Sequence, residues 1–264
     1  MWQCGNCSFR FTQNVPNAEG MAPYYQSNAY VSHSDTRQGF INRLYHMVRT
    51  YTLTTKCRLV TTVTGLKHGV ILDVGAGTGA FANTMQSAGW NVTGLEPDAT
   101  ARANALSNYQ LQLKEQSAFS NFEQNTFDAI TMWHVLEHVH DLHSYFENFM
   151  EILKPAGRLI IAVPNYTSSD AHAYKQFWAA YDVPRHLYHF SPKSMETLLD
   201  RKGFALEKVK PMWFDSFYIS MLSEKYKKGK NNYISAFSNG LISNIKALFN
   251  TRKCSSVIYI IRKK

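Results

Sequence analysis

The sequence of 264 residues predicts an α/β protein built on a doubly wound parallel sheet. Between residues 70 and 165, short apolar runs alternate with segments of helical apolar spacing, as strands and helices do in such a sheet. The run Val70–Val74 ends in a glycine-rich turn and restarts as a helix. A further apolar run, Ser256–Ile261, closes the sequence as a strand. At this length the chain can bury one large core, so we expect one main domain.

The glycine-rich turn predicts a ligand site at the carboxyl end of the first buried strand. Gly75, Gly77 and Gly79 lack the Cβ atoms that would keep a ligand away from the backbone, and they allow the φ angles of a tight turn. A dinucleotide site has the pattern G-x-G-x-x-G/A, which Gly75, Gly77 and Ala80 satisfy, with an acid about 20 residues later. Asp73, two residues before the first glycine, instead favours a ligand with an amino group.

The stretch D-V-G-A-G-T-G at 73–79 resembles the first motif of class I S-adenosylmethionine-dependent methyltransferases, in particular the small-molecule type 11, 12 and 23 domains. The resemblance implies S-adenosyl-L-methionine as the cofactor and S-adenosyl-L-homocysteine as its product. In this interpretation a carboxylate under the turn contacts the ammonium group of the cofactor, directly or through water. The cofactor-binding residues expected in this segment are Asp73, Gly75, Ala76, Gly77, Thr78, Gly79 and Phe81.

The next strand supplies a second acid at its carboxyl end. Glu96 follows an alternating apolar run and is placed to accept hydrogen bonds from both ribose hydroxyls of the cofactor. Pro97 then begins a helix. Further along the chain, the resemblance puts Ser117 and Ala118 beside the adenine.

The strand Phe127–Met132 leads into Trp133 and His134, which the resemblance places as a wall of the cofactor pocket. By residue type alone, closing the edge of the core is an equal alternative for Trp133. The stretch K-P-A-G at 154–157 resembles the family motif before the fifth strand. Together these landmarks imply a Rossmann-like sheet of seven strands, in which the last strand is antiparallel and inserts between strands five and six.

Apolar spacing outlines the other elements: helices at about 98–108, 141–153, 171–180 and 192–201, a weak strand near 111–113, and a helical insertion at 215–249. Residues 36–64 predict one or two amphipathic helices, which the resemblance makes a cap over the cofactor cleft. We therefore divide the chain into an N-terminal stub and helical cap, residues 1–65, and a cofactor-binding domain, residues 66–264.

No metal site is predicted. Cys4 and Cys7 form a lone C-x-x-C pair that resembles the second half of an N-terminal zinc ribbon, whose first half would lie upstream. A tetrahedral site needs a second pair, and none follows downstream. The His-Glu-x-x-His spacing of a zinc protease is also absent around Glu137, His138 and His140.

The net charge of +9 is concentrated near the carboxyl terminus. Residues 201–264 carry fourteen Lys or Arg against three acids, or +11, whereas residues 1–200 carry fourteen against sixteen, or −2. Such a region suits nucleic acid, an anionic membrane face or a phosphorylated substrate, and a solvated basic face is an equal alternative. We see no signal peptide, spanning segment or disulfide framework, and therefore expect a cytoplasmic protein.

The loop 181–191, beyond the fifth strand, carries the residues that we expect to be catalytic. It resembles a family segment at the acceptor pocket, Pro-x-His-x-x-x-Phe-x-Pro. His186 is expected to be the general base because imidazole titrates near neutrality, and Arg185 to hold an anionic group. His189 is the alternative base. A purely structural role for the loop stays open, since alignment of donor and acceptor can suffice for methyl transfer.

The function that these patterns predict is methyl transfer to a small-molecule acceptor, with a sugar or a lipid-linked precursor favoured. Nucleic acid is disfavoured, because neither the Asn/Asp-Pro-Pro-Tyr segment of base-amino methyltransferases nor a Pro-Cys nucleophile follows Met132. Two alternatives stay open. One is a non-catalytic protein that keeps the cofactor fold to bind a partner, and the other is an NAD-dependent oxidoreductase.

Overall fold

The computed structural model describes residues 1–17, 19–25, 40–230 and 232–264. Its strands are β1 Trp2–Gln3, β2 Arg10–Phe11, β3 Val70–Val74, β4 Asn91–Leu95, β5 Phe127–Trp133, β6 Leu153–Pro164, β7 Tyr188–His189, β8 Phe204–Pro211 and β9 Ser256–Lys263. Its helices are α1 Ala22–Tyr25, α2 Phe40–Thr64, α3 Ala80–Ser87, α4 Ala99–Tyr109, α5 Leu142–Ile152, α6 Ser169–Tyr174, α7 Pro192–Arg201, α8 Asp215–Lys228 and α9 Tyr233–Phe249. The predicted α/β class is confirmed.

The central sheet has the strand order β4-β3-β5-β6-β9-β8. Strands β4, β3, β5 and β6 are parallel, whereas β9 runs antiparallel between β6 and β8. The prediction of a final antiparallel strand inserted at this position is confirmed. Because the parallel strands end at the same edge, the residues that follow β3, β4 and β5 meet there.

Both faces of the sheet are covered, so the parallel strands are apolar on both sides. Leu72 of β3 packs into a cluster with Phe146 and Phe149 of α5. Ile71, which points to the opposite face, packs with Val60 of α2 and Met85 of α3. Helix α2 is thereby fixed against the sheet beside the glycine-rich turn.

The predicted seven strands are reduced to six, because the weak strand near 111–113 pairs only at Lys114. The Lys114 N–H donates to the Gly94 carbonyl at 2.9 Å, and its own carbonyl accepts from the Glu96 N–H at 3.0 Å. The chain then enters a 3₁₀ helix, Gln116–Asn121, which ends the pairing. Leu111 and Leu113 are buried, so their alternation reflects packing rather than a full strand.

Several predicted element boundaries shift. The described part of the predicted stretch 36–64 is one helix, α2, while residues 36–39 lie outside the described residues. The insertion at 215–249 is two helices, α8 and α9. The predicted helix at 171–180 is the shorter α6 followed by two 3₁₀ turns. The K-P-A-G stretch belongs to β6 rather than to a loop, since β6 begins at Leu153. Among the described residues, no helix has the length and apolarity that crossing a bilayer requires.

A second, small sheet of order β1-β2-β7 was not predicted. Its strands are two residues long, which is too short for a periodic signal. Arg10 pairs with His189 and Phe11 with Tyr188, so the N-terminal segment holds the loop 181–191 from one side.

Candidate active site

The glycine-rich turn lies at the carboxyl end of β3 and has the left-handed backbone that favours glycine. The φ angles of Gly75, Gly77 and Gly79 are 71°, 56° and 80°. A Cβ on Gly75 would lie 2.4 Å from Cγ2 of Val135, so no larger residue fits there. The turn is fixed to β4 because the Gly75 N–H donates to the Leu95 carbonyl at 2.8 Å.

Asp73 lies beneath this turn and is 2 % exposed. Its Oδ1 accepts a hydrogen bond from the Thr131 hydroxyl at 2.7 Å. Burial raises the pKa of Asp73 to about 7, although Thr131 and the charge of Lys56 oppose that rise. Burying an ionised carboxylate without a charged partner is unfavourable, so an ammonium group of a ligand would stabilise the ionised form of Asp73.

Glu96 faces the turn from the end of β4, and its carboxylate bridges two backbone donors. The Gly77 N–H donates to Oε2 at 2.7 Å, and the Asp98 N–H donates to Oε1 at 3.0 Å. Each carboxylate oxygen can accept a second hydrogen bond, so one lone pair on each remains for a vicinal diol. Burial raises the pKa of Glu96 despite the two N–H donors.

The residues predicted near the adenine and the ribose lie along the same edge. Pro97 follows Glu96 directly, and the Asp98 side chain caps α4 by accepting from the Ala101 N–H at 2.7 Å. Ser117 and Ala118 belong to the 3₁₀ helix that follows the bridge at Lys114. Both segments therefore flank the end of β4.

An aromatic wall and a lysine stand at the end of β5. The rings of Trp133 and Phe81 meet edge to face, with centroids 5.4 Å apart. Nζ of Lys56, which comes from α2, lies 4.3 Å above the Trp133 ring. Burial lowers the pKa of Lys56 to about 8, opposed by the charges of Asp215 and Asp73. The amino acid end of a bound cofactor would thus meet one carboxylate and one ammonium group.

His134 lies between two carboxylates. Its Nε2 is 2.8 Å from Oδ2 of Asp215, and its Nδ1 is 3.4 Å from Oε1 of Glu137. Burial alone would lower the pKa of His134, but Asp215 and Glu137 raise it to about 10. The φ of His134 is 58°, a conformation that non-glycine residues rarely adopt and that often marks functional sites. His134 is therefore a cation held by Asp215 at this edge.

The loop residues predicted to be catalytic separate into two places. His186 lies against His138, with ring centroids 4.5 Å apart, and near the end of β5. His189 instead lies beside the N-terminal segment, where its Nε2 is 3.1 Å from the Thr12 hydroxyl. Burial lowers the pKa of His189 to about 3. The guanidinium of Arg185 pairs with Asp182 at 2.5 Å.

Sequence reasoning missed three residues of this site. Lys56 comes from the cap helix, and Asp215 begins α8 in the insertion, where no motif marks either residue. Glu137 stands out in the sequence only as an acid beside His138. In the sequence, Asp215 is recognisable only as an acid that begins an inserted helix. Its position beside His134, at the end of β5, follows from the fold alone.

A parallel sheet with one antiparallel insertion, a left-handed glycine turn and two acids at the ends of β3 and β4 defines a class I S-adenosylmethionine-dependent methyltransferase. The methyltransferase domain family matches residues 49–209, well over half of the chain. The chain belongs to this family. The donor set fits its cofactor, because Asp73, Lys56 and Glu96 complement an ammonium group, a carboxylate and a ribose diol.

Curated relatives are similar over the same region. The ubiquinone biosynthesis O-methyltransferase of Cronobacter sakazakii is 35% identical over 108 residues, which is 38% of this chain and 44% of that protein. The mitochondrial ubiquinone biosynthesis O-methyltransferase of Homo sapiens is 28% identical over 163 residues, 56% of this chain and 44% of that protein. The chain thus spans under half the length of these relatives.

Solved structures share the fold. A putative sarcosine dimethylglycine methyltransferase from Galdieria sulphuraria has a TM-score of 0.56 at 15% identity, covering 84% of this chain and 88% of that one. The phosphoethanolamine N-methyltransferase 2 of Haemonchus contortus, crystallised with S-adenosyl-L-methionine, has a TM-score of 0.54 at 18% identity, covering 80% of this chain and 52% of that one. At such identities the similarity concerns the fold alone.

Asp73→Asn should stabilise the ligand-free protein at alkaline pH. The folded-state pKa of about 7 lies above the unfolded value, so the stability contributed by Asp73 is complete below about pH 4 and lost as pH rises through 7. Urea unfolding should show a gain of ~1 kcal/mol or more at pH 8 and little at pH 4. Asp200→Asn, which removes an exposed partner of Lys264, should give no such gain. A variant no more stable than wild type at pH 8 would contradict the burial cost assigned to Asp73.

Proposed function

We propose that this chain transfers a methyl group from S-adenosyl-L-methionine to a hydroxyl oxygen of an amphiphilic small molecule. The observation that carries the proposal is the pair His134–Asp215, which stands beside Lys56 and Trp133 at the cofactor edge of the sheet. A carboxylate next to a histidinium can accept a hydroxyl hydrogen while the cation stabilises negative charge on the oxygen.

The bound cofactor supplies an activated methyl group on a sulfonium, so the protein mainly aligns the two reactants and removes one proton. Burial raises the pKa of Asp215, but the charge and hydrogen bond of His134 lower it overall. Asp215 is thus ionised and can hold the acceptor hydroxyl. Because an oxygen that is being methylated becomes a strong acid, even a carboxylate of lowered pKa takes up its proton.

The loop 181–191 supports this site in the proposal. The Leu187 N–H donates to the Glu137 carbonyl at 2.8 Å, which ties the loop to the end of β5. The pairing of Arg185 with Asp182 orients the same loop. The roles of His186 or His189 as general base and of Arg185 as an anion binder stay predictions, and Asp215 is our preferred proton acceptor.

The relatives named O-methyltransferases favour oxygen as the acceptor atom, and helix α9 favours an acceptor with an apolar part. One face of α9 packs on α8 through small residues, since a Cβ on Gly240 would lie 2.7 Å from Phe217. Away from this contact α9 exposes large apolar side chains, of which Phe237 at the margin also stacks on Phe217 of α8. The exposed residues are Ile234, Phe237, Leu241, Ile242, Ile245, Leu248 and Phe249. We name these seven residues the α9 face. An exposed apolar face of this extent marks an interaction surface.

Basic residues flank the α9 face along the chain: Lys225, Lys227 and Lys228 end α8, Lys246 lies in the last turn of α9, and Arg252 and Lys253 follow it. An amphipathic helix with lysines beside an apolar face is typical of binding in the plane of an anionic membrane surface. The basic carboxyl-terminal region thus contributes peripheral membrane contact in the proposal, and the acceptor is a lipid-linked molecule reached from that surface.

The double variant Ile245→Asp/Leu248→Asp should separate membrane contact from chemistry. Transfer of labelled methyl to a long-chain alkylated phenol in anionic vesicles should fall about tenfold or more, because two exposed apolar side chains become acidic. Transfer to a water-soluble phenol should be unchanged. Leu106→Asp, which changes a comparably exposed leucine on α4, is the matched control.

Each outcome of this assay has a defined meaning. No methyl transfer by the wild-type chain to either phenol would contradict the proposed transfer to a hydroxyl oxygen. Equal loss in the double variant and in Leu106→Asp, or no loss in either, would contradict the membrane role of the α9 face.

A further inference from the structure

Three side chains that could ligate a metal meet beyond the end of β5. Glu137 and His138 lie on the short 3₁₀ turn Leu136–His138, and His186 comes from the loop 181–191. One ligand atom of each lies within 4.8 Å of the others. Glu137 is 1 % exposed and His186 is buried, so the cluster is sheltered from bulk water. The backbone bond from Leu187 to Glu137 holds the two segments together.

Glu137 is a buried carboxylate that is paired by charge with His134 but forms no hydrogen bond with the described residues. Neither of its oxygens has a hydrogen-bond partner among the described residues, and His134 Nδ1 stands off at 3.4 Å. Removing a carboxylate from water without hydrogen bonds is costly, and buried polar atoms are nearly always satisfied. A bound ion is one explanation for buried polar atoms that lack a hydrogen bond.

Both histidines have one ring nitrogen fixed by a backbone carbonyl, as ligating histidines commonly do. His186 Nδ1 lies 2.9 Å from the Ala180 carbonyl, and His138 Nδ1 lies 3.0 Å from the Arg185 carbonyl. A carbonyl oxygen only accepts hydrogen bonds, so each Nδ1 carries the proton and each Nε2 keeps a lone pair. In metal sites, a backbone carbonyl commonly fixes the ligating histidine through its other ring nitrogen.

Two further polar groups lie close to these histidines. Nε2 of His186 lies 3.7 Å from Oδ2 of Asp182, which is beyond hydrogen-bond distance. The hydroxyl of Tyr25 lies 3.1 Å from Nδ1 of His138, next to the Arg185 carbonyl. Neither contact occupies the lone pair of a histidine Nε2 in the geometry of a hydrogen bond.

We propose that Glu137, His138 and His186 bind one zinc ion. Two imidazoles and one carboxylate form a protein ligand set of zinc that leaves a fourth position open. The sequence showed no metal motif because the third ligand lies 48 residues from His138 and only the fold brings it near. The proposal does not depend on methyl transfer, since it concerns binding by the ligand-free chain.

The test uses the full chain carrying Cys4→Ser and Cys7→Ser, so that the N-terminal thiols contribute no metal. Titration with Zn²⁺ in competition with a chelator should show one ion per chain. Glu137→Gln and His186→Gln should each weaken zinc affinity by more than about 100-fold, beyond the range for supporting residues. His143→Gln, which changes an exposed histidine on α5, should bind zinc as before.

Two results would overturn the proposal. One is the absence of a stoichiometric zinc ion in the double-serine chain, and the other is unchanged affinity in both glutamine variants. Should those variants fail to fold, Co²⁺ added to the double-serine chain decides the matter. A tetrahedral Co²⁺ absorption band that saturates at one ion per chain and disappears on addition of Zn²⁺ agrees with the site, whereas the absence of such a band would contradict it.

Discussion

Gly77→Val should lower the affinity for S-adenosyl-L-homocysteine by about 100-fold or more while the chain still folds. The φ of Gly77 is 56°, which a β-branched residue avoids, and its N–H holds the Glu96 carboxylate at 2.7 Å. Adopting another backbone conformation would therefore displace Glu96 and place a side chain against the ligand. Isothermal calorimetry measures the loss directly.

Gly65→Val is the matched control for this prediction. Gly65 has a φ of 70°, and a Cβ at this position would meet nothing within 4 Å, so the substitution introduces similar backbone strain away from the site. The control should lower the unfolding free energy but keep ligand affinity. Equal affinities in wild type and Gly77→Val would contradict the role of the turn, as would an equal loss in Gly65→Val.

Asp215→Asn should reduce methyl transfer by roughly 10²-fold or more and leave the affinity for S-adenosyl-L-homocysteine nearly unchanged. The amide cannot take up the acceptor proton, and it no longer neutralises His134. The reduction should appear in kcat for the water-soluble phenol, because alignment by the rest of the site is retained.

Asp128→Asn is a control of similar exposure, with 17% of its side chain accessible against 20% for Asp215. It lies at the amino end of β5, on the opposite edge of the sheet. The turnover of the Asp128→Asn variant should stay near that of the wild-type chain. A parallel loss of cofactor affinity and turnover in Asp215→Asn would show that Asp215 serves the cofactor instead, and unchanged turnover would remove it from the proton path.

Features that are contiguous in the chain were predictable. The strand Val70–Val74, its glycine turn and α7 are specified by local periodicity and capping, and the structure has them where the sequence predicts. The sequence could not show that the predicted strand near 111–113 is only a single bridge at Lys114. Leu111 and Leu113 alternate as in a strand, but they do so because both pack into the core. The small N-terminal sheet is too short to leave a periodic pattern.

The residues of the candidate site likewise divide into those that the sequence could predict and those that it could not. Asp73 lies near the carboxyl end of β3 and Glu96 follows β4 directly, so parallel topology alone brings them to one edge. Lys56 and Asp215 come from helices whose positions depend on packing against the sheet, and no local pattern distinguishes them from solvent-facing charges. His186 meets Glu137 only through the backbone pairing of two distant loops.

We propose that S-adenosyl-L-methionine binds at the edge formed by β3, β4 and β5, and the proposed methyl transfer depends on this site. Calorimetric titration of the purified wild-type chain with S-adenosyl-L-homocysteine and, separately, with NAD tests it most directly. We expect one-to-one binding of S-adenosyl-L-homocysteine with a micromolar dissociation constant and no measurable binding of NAD. Tight binding of NAD together with no heat from S-adenosyl-L-homocysteine would contradict this assignment.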